Sequence, residues 1–203
     1  MKKDSGLGSR DRMIEATIAL MRGSGLSGAG INDIVRESGA PKGSIYHFFP
    51  SGKLQLAAEA LEIYSQRVMQ FIDCALASKL RPGDKLRALF DALAKRVEDG
   101  AFRQSCAIGT VSLDLNDDLE DLRVVLAATL SEWMALIARH FDLADAWQTT
   151  SFAGLVLSTI EGAYIRCRAE RSSRPFKEAG MWLAELAECH QKNRLPSARR
   201  SNG

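Results

Sequence analysis

The sequence predicts an all-α fold, and three observations carry that reading. Nearly every long segment repeats its apolar residues at helical spacing. Short breaks rich in Gly, Ser or Pro separate those segments, at Ser24–Gly30, Pro50–Gly52, Arg81–Asp84 and Arg171–Pro175. The chain has 203 residues, 46% of them hydrophobic, enough to bury a proper core. No internal repeat and no low-complexity tract interrupts the pattern.

A first helix is expected from Ser9, as its cap, to about Gly23. Ile14, Ile18 and Met21 form its apolar stripe, widened by Met13 and Leu20, with Thr17 lying inside it. A second helix carries Ile31, Ile34 and Val35 on one face and must stop at Gly39, where the chain reverses and positive φ is needed. Pro41 suits the first turn of a third helix, about Pro41–Phe48, because its missing N–H has no partner there anyway. Lys42, Ser44, Tyr46 and His47 can face out of that helix, while Ile45 and Phe49 anchor it. Two short helices around a tight turn, the second opening on small, polar and cationic side chains, are what entry into a DNA major groove requires.

A long helix is expected from Gly52 to Lys79, with Leu56, Ala60, Ile63, Val68, Phe71, Ile72 and Ala75 at helical spacing. Asp84 is placed to cap a fifth, ending near Gly100. Ser105–Val111 has a β-branched flavour but sits among helices, and residues 101–118 read as a short helix with loop. Helices over Leu119–Phe141 and Trp147–Glu170, and a last one after the Arg171–Pro175 break to about Gln191, complete the chain. The division expected is a helix-turn-helix head over 1–55, a helical body over 56–192, and a disordered basic tail over 193–203. The first eight residues are expected to be disordered as well.

Net charge is only +2, which argues against broad, non-specific coating of nucleic acid. The head is locally positive: Lys2, Lys3, Arg10, Arg12, Arg22, Arg36, Lys42 and Lys53 face Asp4, Asp11, Glu15, Asp33 and Glu37. An acidic run follows around Asp114, Asp117, Asp118, Glu120 and Asp121. Cys74, Cys106, Cys167 and Cys189 are widely spaced and read as reduced thiols. No signal-peptide pattern and no apolar run of membrane-spanning length is present, so a soluble cytoplasmic protein without a membrane partner is expected. His47, His140 and His190 are far apart, and no metalloprotease, hydrolase, P-loop or dinucleotide motif occurs. No catalytic residue, metal site or cofactor is expected. An enzyme on a helical body is the weakest reading. An architectural DNA binder without effector stands between it and a regulator.

The run Ala40-Pro41-Lys42-Gly43-Ser44-Ile45-Tyr46-His47-Phe48-Phe49-Pro50, with Gly39 before it and a long helix after, resembles the head of the TetR/AcrR transcriptional repressors. The detailed likeness covers about residues 9–60. With Ser105-Cys106-Ala107-Ile108-Gly109, it is more similar to the LmrA/YxaF-like branch, repressors of drug-resistance and flavonoid-responsive genes. The resemblance implies a homodimer on palindromic double-stranded operator DNA, with a body enclosing a pocket for a small apolar or aromatic effector that releases the DNA.

Matched position by position, the resemblance implies DNA contacts from Lys42, Gly43, Ser44, Tyr46 and His47, and from Lys53 near the N-terminus of the long helix. Three departures alter the pattern. Ala29 and Gly30 replace the usual Thr or Ser before the second helix, leaving backbone N–H groups, or Ser27 as a substitute cap. Phe48 replaces a common His. Pro50-Ser51-Gly52-Lys53 is one residue longer than the commonest form, which leaves open which of its residues meets DNA. For the effector, Met69, Phe102, Cys106, Trp133, Phe152 and Tyr164 are candidate pocket residues, though a plain core would show the same residues. Trp147, Phe152, Leu155, Ile160, Ala163, Trp182, Leu183 and Leu186 on the last two helices are candidates for a four-helix dimer contact, with a subunit's own core as the alternative.

Overall fold

The computed structural model describes residues 7–77, 80–141, 143 and 145–192, with side chains to 189. The basic tail and most of the N-terminal segment expected to be disordered lie outside the described residues. The described helices are α1 (Ser9–Ser24), α2 (Ile31–Ser38), α3 (Gly43–Phe48), α4 (Lys53–Leu76), α5 (Pro82–Asp99), α6 (Ala107–Ser112), α7 (Glu120–Arg139), α8 (Ala146–Glu170) and α9 (Arg174–Lys192). A 3-10 turn at Asp117–Leu119 precedes α7, and no strand occurs among the described residues. None of these helices is long and apolar enough to cross a membrane. The all-α expectation holds.

The chain divides into two compact units. The first runs to Val68 and takes in Arg103–Leu130; the second holds Met69–Phe102 and the chain from Ser131 onward.

In the first unit α1 packs against α2, α3 and α6. Met13, Ile14, Ile18 and Met21 are buried there with Ile34, Ile45, Phe49, Leu56, Leu61, Ile108 and Val111. Thr17 is tolerated inside this apolar stripe because its hydroxyl donates to the Met13 carbonyl at 2.7 Å. Gly39 ends α2 in the left-handed region at φ 62°, as expected, and its N–H reaches the Val35 carbonyl at 3.0 Å. The Arg12 guanidinium donates to the Ser38 carbonyl at 3.0 Å and so closes the same helix end from α1. The turn leading into α3 starts at Pro41, whose carbonyl accepts from Ser44 N–H at 2.9 Å, and the helix proper begins at Gly43.

Three expected caps are corrected. Gly8, not Ser9, occupies the α1 N-cap; Ser9 is the first helical residue and its hydroxyl accepts from Arg12 at 3.2 Å. Ser27 does not cap α2, because Asp114 takes both its N–H and its hydroxyl, at 2.9 and 3.1 Å; Gly30 holds the cap position without a side-chain bond. Asp84 lies inside α5 rather than before it. Pro82 opens that helix, where its missing N–H is harmless, so Arg81 becomes the N-cap and Asp84 instead binds Arg81 and Arg87.

In the second unit α9 packs on α5 and on α8. The close approach is made at Gly180, where a Cβ would stand 2.6 Å from the Phe90 Cβ. Phe176 stacks edge-on against both Phe90 and Tyr164, at ring separations of 6.1 and 5.0 Å, and Phe141 does so against Phe152 at 5.4 Å. His140 and Asp73 meet at 2.8 Å. None of the four cysteines is in a disulfide, and burial pushes the Cys167 thiol up, away from reactivity.

The helices α8 and α9 split the residues expected at a dimer contact. Phe152, Ile160, Ala163 and Leu183 are buried within the chain's own unit, so the face they were assigned to does not include them. Trp147, Leu155 and Trp182 are exposed, joined by Ile165 and Met181.

Candidate nucleic-acid interface

The six residues of α3 separate cleanly by face. Ile45 and the following Phe49 are fully buried, and the helix packs against α1. The opposite side carries Lys42, Gly43 and His47, all exposed, with Ser44 half-buried beside them. Tyr46 stands out with 57% of its surface in water. Exposing a tyrosine while a neighbouring isoleucine is fully buried is what the sequence pattern required of a recognition surface. Phe48 is half-buried, its ring edge-on to both His47, at 4.9 Å, and Phe49, at 6.5 Å. It thereby stiffens the outer end of the helix instead of offering a polar group.

After α3 the chain turns through Gly52, at φ 74°, with the Tyr46 ring beside it. Ser51 N–H donates to the Gln55 side chain at 3.0 Å, which satisfies one of the free donors at the start of α4. Lys53 is half-buried, and its ammonium donates to the Leu26 carbonyl at 2.7 Å. That bond holds the loop before α2 to the start of α4. It also gives Lys53 a structural task that the sequence did not signal. Lys42 forms no ion pair among the described residues, whereas Arg36 is held by Asp33 at 2.6 Å and by Glu37 at 3.3 Å, which raises its affinity for its proton. Among the described residues, Lys42 has no carboxylate or carbonyl partner, unlike Arg36 and Lys53.

Sequence reasoning missed the bonds that join α6 and its flanks to the head within the first unit. Arg22 Nε donates to the Ser105 carbonyl at 3.0 Å, and Ser105 N–H returns a bond to the Arg22 carbonyl at 2.9 Å. Thr110 donates to the Met21 carbonyl at 2.7 Å. Asp114 receives Ser27, 87 positions earlier. No local pattern encodes a partner at that separation.

The six candidate pocket residues are divided between the two units. Cys106 belongs to the first unit and is buried at the N-cap of α6. The other five belong to the second. Phe152 and Tyr164 engage the aromatic contacts with Phe141 and Phe176, and Trp133 is buried. Phe102 is half-buried in left-handed backbone at φ 59°, fixed by its N–H to the Val97 carbonyl at 2.9 Å as α5 ends.

Comparison with known proteins adds to this geometry. The family model for bacterial regulatory proteins of the tetR family matches residues 13–60, and the model for the C-terminal domain of LmrA/YxaF-like transcriptional regulators matches residues 82–181. An uncharacterized HTH-type transcriptional regulator of Mycobacterium tuberculosis is 32% identical over 194 residues, covering 89% of this chain and 97% of that protein. The HTH-type transcriptional regulator LmrA of Bacillus subtilis is 25% identical over 180 residues, covering 88% and 96%. Among solved structures, a regulatory protein TetR from Rhodobacter sphaeroides superposes with a TM-score of 0.78 at 22% identity, covering 87% of this chain and 97% of that one. A cysteine mutant of the regulator CifR, complexed with 26bp double-strand operator DNA, shares the fold at a TM-score of 0.76 and 17% identity, covering 87% and 95%.

Proposed function

This chain belongs to the TetR family of transcriptional regulators, and from that premise we propose that it is a cytoplasmic, dimeric repressor, released from a palindromic operator by a small apolar or aromatic effector. The observation that carries the reading is the division of α3. Ile45 and Phe49 are fully buried, and Lys42, Gly43, Tyr46 and His47 are left in solvent on the other side. Two such helices related by a twofold axis enter successive major grooves about 34–36 Å apart. Phosphate contacts from Lys42, Tyr46 and Lys53 set the register, and Ser44 and His47 read base edges or backbone.

Release requires that the effector bind the DNA-incompetent spacing of the heads more tightly than the competent one; equal binding to both would change nothing. Two features of the first unit suit transmission. The helix α4 begins directly after the Pro50–Gly52 turn, and its residues to Val68 belong to this unit. The α6 segment is tied to the end of α1 by the Arg22–Ser105 pair and to the α2 loop by Asp114. A shift of either element is therefore felt at the recognition helix. The pocket we propose for the effector lies in the second unit, which holds Met69, Phe102, Trp133, Phe152 and Tyr164.

The test is selection of DNA by the full-length protein from a randomised pool. An inverted repeat is expected, with half-sites one helical turn apart. Enrichment of no symmetric site, or equal affinity for random DNA, would overturn the repressor reading in favour of an architectural one. On the selected operator, Lys53→Ala is expected to lower the slope of log affinity against log salt by about one per head. An unchanged slope would leave Lys53 only its bond to the Leu26 carbonyl.

A further inference from the structure

A cleft of about 230 Å³ opens in the first unit, between Leu54 and Ala58 at the start of α4 and the segment Asp118–Val125 that leads into α7. Leu119, Leu122 and Val125 supply the rest of its apolar wall, and Asp118 and Asp121 supply its polar groups. The apolar wall is incompletely covered: Leu54 keeps 49% and Val125 38% of their surface in water. Covering such surface is favourable for any ligand with a matching apolar body. The volume is room for roughly eight water-sized groups, below the usual size of a drug pocket.

The charge of the cleft selects among such ligands. Asp118 and Asp121 are both exposed, and neither forms an ion pair among the described residues. Their neighbour Glu120 is already neutralised by Arg123 at 2.5 Å. Three positions apart on a helical turn, Asp118 and Asp121 lie on one side and repel each other. The dipole of α7 explains acidic residues in its first turn. It does not explain why they border an open apolar cleft.

We infer that this cleft binds a small organic cation, an ammonium carrying a short alkyl or aryl body, with its charge between Asp118 and Asp121 and its apolar part against Leu54, Ala58, Leu122 and Val125. The inference rests on the geometry of the first unit and stands whether or not the repressor reading does. The site bears on the first two turns of α4, whose Lys53 holds the Leu26 carbonyl ahead of α2.

Titration of hexyltrimethylammonium into the full-length protein without DNA, followed by calorimetry, tests it. Saturable binding at one site per chain is expected, weakening as salt is raised. The double variant D118N/D121N, which alters only exposed side chains and keeps their shape, is expected to weaken binding at least tenfold. Ala58→Phe, which fills the cleft, should abolish it. Hexanol and hexanoate, neutral and anionic bodies of the same length, should bind at least tenfold more weakly than the cation. Absence of saturable binding, equal binding of hexanol, or unchanged affinity in D118N/D121N would each overturn the assignment. So would ligand-free association of chains that D118N/D121N abolishes, because the cleft would then belong to a second copy.

Discussion

Replacing Tyr46 by alanine is expected to lower operator affinity by about 100-fold or more while leaving the dimer and its helix content intact. More than half of the residue's surface is in solvent, so removal of the ring opens no buried cavity and costs the fold little. A hydrogen bond from its hydroxyl to a charged phosphate is worth about 1.5 kcal/mol or more. In the proposed dimer two heads act on one operator and are too far apart to share partners, so the losses add to about 3 kcal/mol. At 1.4 kcal/mol per decade that is the expected factor of about 100. Fluorescence anisotropy against the selected operator measures it. Tyr46→Phe separates the hydroxyl from the ring: a phosphate contact predicts a loss close to that of alanine, and stacking on a base predicts little. A phosphate contact also weakens binding uniformly across operator variants, whereas a base contact relaxes specificity at one position. Tight binding by Tyr46→Ala would mean that α3 does not face the DNA.

The head was legible because its signals are local. Gly39, Pro41 and the alternation of Ile45 and Phe49 with Lys42, Tyr46 and His47 lie within eleven residues, and each states a backbone or burial requirement by itself. Helix starts were less legible. The Arg81–Asp84 break holds both a favourable cap, Asp84, and a favourable first residue, Pro82; the proline prevailed because it cannot donate a bond beyond the first turn. Lys53 shows a different limit. Its type and position are those of a phosphate contact, but they do not reveal the bond that its ammonium makes to the Leu26 carbonyl, which tertiary structure brings near it. Asp114 with Ser27 shows the same limit at longer range. For Phe152 and Tyr164, apolar spacing marks burial and says nothing about whether the neighbour is another aromatic ring or a ligand. In the structure the neighbours are Phe141 and Phe176. Amphipathic pattern also failed to rank the apolar residues of α8 and α9. Both helices carry more apolar residues than one buried face can take, and the surplus, with Trp147 at 76% and Trp182 at 70% exposure, remains outside.

That surplus sets up the other large effect, from a carboxylate placed at Ile165. Trp147, Ser151, Leu155, Ser158, Gly162 and Ile165 are all exposed and recur every three or four residues, which is one face of α8. A face this apolar is uncommon on a monomer and suits a twofold contact in which each residue meets the same surface of its partner. Ile165 has 65% of its surface in water, so Ile165→Glu costs an isolated chain almost nothing. At a twofold contact it buries two unpaired charges at once, a penalty of several kcal/mol. Sedimentation is then expected to show the 22.2 kDa chain alone with its helix content retained. Operator affinity is expected to fall at least 1000-fold, because each head must then bind without the effective concentration supplied by its twin. Gly162 gives a test of opposite sign. A Cβ there meets nothing within 4 Å in the chain itself, so Gly162→Ala alone in solvent would stabilise α8 by about 1 kcal/mol through helix propensity. Against a closely packed partner helix the same methyl group is an obstruction, and the dimer is expected to weaken. A dimer unaffected by Ile165→Glu, together with a stabilised Gly162→Ala, would place this face in water and require the two heads to be paired through another surface.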